Sequence, residues 1–189
     1  MDNRKTEKIS LRKKIREIKN SHLPQDFKTC SDGVFALLEQ LPVFQRAQNV
    51  LIYNNLPDEI HTLGFVRRWM GKKDFFFPVV IDDNLVFRKY HSATKFTSGS
   101  LNVPEPDGED LSDYSGIDLI IVPGVAFDTK FNRLGRGKGY YDRFLQRVSA
   151  VKIGVCFDFQ LLDEIPADIY DVKMDYIISE KRKLDRIGE

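Results

Sequence analysis

Apolar residues Leu11, Ile15 and Ile18 recur every three or four positions through an otherwise basic segment, which predicts an amphipathic helix over residues 6–20. His22-Leu23-Pro24 interrupts it. A second helix follows, with Cys30, Val34, Leu37, Leu38 and Leu41 on one face and Pro42 just beyond. Asn49-Val50-Leu51-Ile52-Tyr53 is short, apolar and rich in strand formers. Residues 54–59 read as loop. Residues 60–71 return to helical spacing through Leu63, Val66 and Met70, with Trp69 packing nearby.

Further along, DFFFPVVI (74–81) and LVFRKY (85–90) predict two strands turned by Asp82-Asp83, and Pro78 suits an edge or a bulge. Residues 92–116, rich in Ser, Gly, Pro and Asp, read as mostly loop. IDLIIV (117–122) is apolar on both faces, as a central parallel strand must be. VKIGVCF (151–157) is another strand, and Tyr176-Ile177-Ile178 a last short one. The tail KRKLDRIGE reads as frayed or as a surface helix. Strands alternating with helices predict an α/β fold, a three-layer sandwich around a mainly parallel, Rossmann-like open sheet. No repeat or polar linker divides the chain, so 1–189 reads as a single domain.

Charge narrows the function. The 189 residues hold 29 basic and 28 acidic side chains, a net charge of +1, which argues against coating nucleic acid or anionic membrane. No apolar run approaches the roughly 18 residues of a membrane span, and the N-terminus shows no signal-peptide core. The two cysteines, Cys30 and Cys156, fit neither a disulfide framework nor a zinc site, and His22, His61 and His91 are scattered. A cytoplasmic monomer acting on small molecules is the expectation.

The candidate chemistry lies in NRLGRGKGYYDRF, residues 132–144, between the 117–122 strand and an amphipathic stretch through Tyr141, Phe144 and Leu145. Ligands of open α/β sheets bind outside the carboxyl ends of strands, where a helix start offers free N–H groups. Gly135, Gly137 and Gly139 can take positive φ and admit a ligand to bare backbone. Arg133, Arg136 and Lys138 supply charge. Asp142 suits a magnesium ion bridging phosphate oxygens, and Tyr140 and Tyr141 offer stacking or a hydroxyl. The spacing is neither GxxxxGK[ST] nor GxGxxG. By itself it indicates an anion-binding loop for a polyphosphate with magnesium.

The longer stretch PGVAFDTKFNRLGRGKGYYDRFL, residues 123–145, resembles the signature of the 5-formyltetrahydrofolate cyclo-ligase family, also called 5,10-methenyltetrahydrofolate synthetases. Phe131 departs from it, standing where the family more often has glycine, which bears on the turn's backbone angles. Weaker landmarks follow in order. Lys8-Ile9-Ser10-Leu11-Arg12 is similar to an N-terminal ATP-contacting element. Residues 54–60 resemble the loop after the first strand, whose Glu, here Glu59, helps hold folate beside Asn54. Residues 102–106 resemble the family's NIPxP stretch, with Leu101 where an aromatic can stand. Residues 171–175 resemble a late HDxxxD element, with Tyr170 in place of His and Asp171 as a second magnesium-side carboxylate.

The resemblance implies ATP- and magnesium-dependent closure of 5-formyltetrahydrofolate to 5,10-methenyltetrahydrofolate. It implies nucleotide contacts from residues 8–12 and from Arg133, Leu134, Gly135, Arg136, Gly137, Lys138, Gly139, Tyr140 and Tyr141. Arg136 and Lys138 would carry the catalytic charge. Folate would meet Asn54, Glu59 and residues 136–140. The residues also admit a binding protein without turnover, or a kinase using the same loop on another acceptor.

Overall fold

A computed structural model describes residues 3–99, 103–169 and 171–188. Leu101, Asn102 and Tyr170, which belong to two of the weaker landmarks, lie outside the described residues. In chain order the helices are α1 (Asn3–Asn20), α2 (Pro24–Leu38), α3 (Pro42–Arg46), α4 (Leu63–Trp69) and α5 (Tyr140–Leu145). The strands are β1 (Asn49–Leu51), β2 (Asp74–Ile81), β3 (Asn84–Tyr90), β4 (Phe96–Ser98), β5 (Pro104–Pro106) and β6 (Leu119–Pro123). They continue with β7 (Ala126–Asp128), β8 (Arg133–Leu134), β9 (Val151–Val155), β10 (Leu161–Leu162), β11 (Tyr176–Ile178) and β12 (Lys183–Asp185).

Seven strands form the main sheet in the order β12-β11-β9-β6-β1-β2-β3. Its interior pairs are parallel, while β3 and β12 close the edges antiparallel. The expected central strand is β6, whose Leu119, Ile120, Ile121 and Val122 are fully buried. Alternation splits them between two cores, as a sheet covered on both faces requires. Leu119 and Ile121 join Val34, Phe35 and Phe65 from α2 and α4, whereas Ile120 and Val122 join Phe144 and Leu145 from α5. This is the expected three-layer arrangement.

Four sequence readings are corrected. The second helix stops at Leu38, because Pro42 opens the separate α3. The helix in 60–71 is shorter, since Thr62 N–H and hydroxyl are drawn back to Asn55 and Tyr53. Within 92–116, β4 and β5 pair as a hairpin; Pro104 and Pro106 concealed a strand that forms through its partner. The tail is neither frayed nor helical: β12 pairs with β11, and Arg182 is tied to Asp158 at 2.6 Å. Pro78 meets its expectation, because β1 pairs with β2 only as far as Leu51↔Phe76, so beyond that point β2 is an edge on one side. No described helix is long and apolar enough to cross a membrane.

Two features position the functional loops. The chain runs from β1 through α4 to β2 on one side, while β6 lies on the other side and leads outward to β9. The order reverses at the β1–β6 boundary, and the loops leaving these strands part into a crevice. A small sheet, β10-β7-β8, stands beside it, and Ile15 of α1 packs against its Ala126 and Leu134.

At the opposite end of the sheet, buried Lys73 donates to the carbonyls of Phe44, Gln45 and Ala47 at 2.8, 3.2 and 2.5 Å. Its ammonium also lies over the Phe44 ring at 4.6 Å. It thus satisfies the carbonyls that the end of α3 leaves without intrahelical partners. Lys73→Met should cost about 3 kcal/mol in urea unfolding, the scale of orphaning charge-assisted bonds, with ligand affinity unchanged.

Candidate functional site

The glycine-rich loop begins from a turn that leaves little freedom. Asp128, fully buried, accepts from the N–H groups of Lys130, Asn132 and Ile165 at 3.0, 2.9 and 3.1 Å and from Asn132 Nδ2 at 2.9 Å. Within this turn Phe131 takes φ +65°, a conformation that glycine adopts without strain. Its ring is buried in the core, and its carbonyl accepts from Met174 N–H at 2.9 Å, which compensate. The departure from the family pattern therefore keeps the left-handed turn.

Arg133 follows, with a side chain only 4% exposed. Nη2 donates to Asp142 Oδ1 at 2.6 Å and Nη1 to the Pro123 carbonyl at 3.2 Å, and the guanidinium lies over the Tyr141 ring. Gly135 does not need positive φ; instead, a Cβ there would fall 2.9 Å from Arg133 Nη1. Gly137 and Gly139 do take positive φ, at +104° and +71°. Leu134 is buried beneath the loop. Because α5 is only six residues long, charge at the loop comes from side chains more than from a helix dipole.

Arg136 reaches across the crevice to the loop after β1. Nη2 and Nε donate to Glu59 Oε1 at 2.7 and 3.1 Å, and Asp58 Oδ1 lies 3.5 Å away. Glu59 Oε2 accepts from Leu56 N–H at 2.9 Å. Buried Lys19 donates to the Asp58 carbonyl at 2.5 Å and carboxylate at 3.1 Å. Burial works against the Arg136 charge, yet Glu59 and Asp58 together raise its pKa. Burial likewise opposes the Asp58 carboxylate, but Lys19 and Arg136 hold it below its usual range.

A cleft of about 380 Å³ opens here. Its basic end holds Arg133, Gly135, Arg136, Lys138, Gly139, Tyr140, Tyr141 and Asp142; Asn54 and Glu59 stand on the loop opposite. Lys138 has no side-chain partner among the described residues. Tyr140 lies under the Arg143 guanidinium, which donates to the Lys138 and Asp83 carbonyls and straps the loop to the β2–β3 turn. Asn54 Nδ2 donates to the Pro104 carbonyl at 2.9 Å.

The α1 residues lie on the far side of the loop. Arg12 Nε donates to the Gly135 carbonyl at 2.8 Å. Lys8 pairs with Asp168 at 2.5 Å and with Asp171 at 2.8 Å. Burial disfavours the Lys8 charge, but the two carboxylates raise its pKa on balance. Ile9 and Ser10 are exposed, and Leu11 packs inward toward Ile15 and Leu134. A second crevice of about 110 Å³ is lined by Arg12, Arg16, Lys19, Asp58 and Arg136. Asp142 and Asp171 stand on either side of the loop, and among the described residues no three acidic, histidine or cysteine side chains converge.

Several lining residues escaped the sequence reading. Arg16 and Lys19 continue the Arg12 face at i+4 and i+7, a stripe that was legible in principle. Val80, Leu85, Val103 and Glu105 form the apolar end of the cleft. They carry no local signal, because they meet only through the unread β4–β5 hairpin.

With this geometry in view, the chain matches the 5-formyltetrahydrofolate cyclo-ligase family over residues 4–180. It is 31% identical to a probable 5-formyltetrahydrofolate cyclo-ligase of Schizosaccharomyces pombe, over 95% of this chain and 100% of that one. It is 27% identical to the 5-formyltetrahydrofolate cyclo-ligase of Escherichia coli strain K12, over 89% and 97%. The solved structure of Aquifex aeolicus 5,10-methenyltetrahydrofolate synthetase superposes with a TM-score of 0.86 at 31% identity, covering 95% of this chain and 93% of that one.

The Tyr141 hydroxyl is buried in the cleft wall without a hydrogen-bond partner among the described residues. Burial, assisted by Glu59, drives its phenol far above the usual range, so it stays protonated. Removing an unpaired buried hydroxyl relieves a desolvation cost. Tyr141→Phe should therefore stabilise the ligand-free protein by up to about 1 kcal/mol in urea unfolding; a loss of that size would show the hydroxyl already bonded.

Proposed function

Because the chain belongs to the 5-formyltetrahydrofolate cyclo-ligase family, we propose that it closes 5-formyltetrahydrofolate to 5,10-methenyltetrahydrofolate, using ATP and releasing ADP and phosphate. The observation that carries this reading is one cleft that is basic and glycine-rich at one end, apolar at the other, and bridged by Arg136 and Glu59.

The chemistry accounts for the division. A formamide oxygen is a poor leaving group, and transfer of the γ-phosphoryl group to it creates an activated imino-phosphate. N10 of the folate then attacks the formyl carbon, the five-membered ring closes and phosphate leaves. Such transfer needs positioning and charge neutralisation rather than a protein nucleophile. Gly135, Gly137 and Gly139 admit the phosphate chain to the backbone. Arg136 and Lys138 offset charge on the transferring group. Lys8 and Arg12 hold the nucleotide from α1, and Arg133 holds the loop closed from behind. Asn54 and Glu59 frame the folate, with Glu59 fixing the Arg136 guanidinium beside the formyl group. Tyr140 orients the acceptor.

Asp142 and Asp171 fit a magnesium site by their chemistry, since magnesium takes one or two carboxylates together with phosphate oxygens and water. Bound there, the ion would neutralise phosphate charge. Two unpaired cysteines suit a reducing cytoplasm.

The test follows the near-ultraviolet band of methenyltetrahydrofolate in a mixture of protein, 5-formyltetrahydrofolate, magnesium and ATP. A rise that requires ATP supports the reading; its absence with folded protein defeats it. Lys138→Ala should lower turnover by at least ~10²-fold, the scale of losing one preorganised charge donor, with an unchanged unfolding midpoint. Asp142→Asn keeps an oxygen toward Arg133 but removes charge. It should move the magnesium titration to clearly higher concentration, and an unchanged titration would count against metal ligation.

A further inference from the structure

We infer that Glu105 is a specificity-determining residue that reads the 2-amino-4-oxopyrimidine edge of the folate head group. This rests on the folate reading above and names the contact that would select the ring.

The placement of Glu105 begins with the sheet. β2 outruns β1, whose last partner on it is Phe76, so the stretch from Pro78 to Val80 faces the cleft instead of a neighbouring strand. Proline at 78 leaves no N–H there to satisfy. The Val80 N–H does need a partner, and it donates to Glu105 Oε1 at 3.2 Å. Glu105 arrives on the β4–β5 hairpin, in register with Thr97. A Cβ on Gly99 would fall 2.3 Å from the Glu105 side chain, so the small residue makes the room in which the carboxylate lies. The side chain is thus placed by strand pairing, by a hydrogen bond and by packing.

The other carboxylates of the cleft are engaged elsewhere. Glu59 spends one oxygen on Arg136 and the other on Leu56 N–H, and Asp142 faces Arg133. Glu105 instead stands among Leu56, Val80, Leu85 and Val103 at the apolar end. A flat ring fits between such walls, and a single well-placed acceptor would set its orientation. The 2-amino-4-oxopyrimidine edge presents two adjacent N–H donors, on the ring nitrogen and on the amino group. A carboxylate offers about four lone-pair sites, and the Val80 bond uses one. Held by that edge at the apolar end, the ring would direct its formyl group toward Arg136 and Lys138.

The experiment compares 5-formyltetrahydrofolate with its 2-desamino-2-methyl counterpart, by calorimetric binding without ATP and by steady-state kinetics with ATP. Wild-type protein should prefer the natural ligand by at least ~10²-fold, since a site built to bond an N–H rejects the analogue lacking it. Glu105→Gln retains an acceptor for Val80 N–H and so keeps the hairpin in place. In this variant and in Glu105→Ala the preference should shrink to within about threefold, with the KM for ATP unchanged. Equal losses for both ligands, with the preference intact, would mark a merely structural role and overturn the inference. So would variants that bind the natural ligand as wild type does while the wild-type enzyme turns over normally. A wild-type protein that binds neither ligand would sink the folate reading and this inference together.

Discussion

The ion pair between Arg133 and Asp142 is the constraint on which the site depends. It joins the strand that enters the glycine loop to the first turn of the helix that leaves it, and one of its partners is almost wholly buried. Burying an ion pair gives little net stability, yet removing one partner typically costs ~3 kcal/mol or more. Its value lies in shape. With residues 133 and 142 fixed together, the chain between them must turn back within a few residues, and only glycine follows such a path without strain at 137 and 139. Gly135 then leaves room for the Arg133 guanidinium itself.

The same pair shows what local sequence carries and what it does not. The loop's composition marked an anion site, because glycine, arginine and lysine act through intrinsic properties. The central strands were equally legible, since burial on both faces leaves an unbroken apolar run. What the sequence does not display is partnership. Glu59 is an unremarkable turn residue until Arg136, 77 positions later, reaches it. The β4–β5 hairpin and the β12 edge are held by cross-strand pairing against weak local propensity, so proline and charge concealed them. Phe131 is the instructive intermediate. Its identity argued against a left-handed turn, but Asp128 and the buried ring determine the backbone there and override the residue's preference.

Charge in the site is balanced locally, as it is over the whole chain. Lys8 is matched by Asp168 and Asp171, Lys19 by Asp58, Arg133 by Asp142 and Arg136 by Glu59. An unpaired cluster of this many cations would repel itself and attract any anion. Pairing removes both problems and keeps each guanidinium or ammonium aimed at the loop. The consequence under the proposed function is an exchange of partners. A phosphate chain entering the site competes with carboxylates for Arg136 and Lys8, and each carboxylate it displaces becomes an oxygen donor without a counter-ion. Anions that bring no cation leave those carboxylates buried and unpaired, which is costly. A magnesium-bound polyphosphate answers both sides of the exchange, so the preference for such a ligand follows from the pairing pattern rather than from an excess of positive charge.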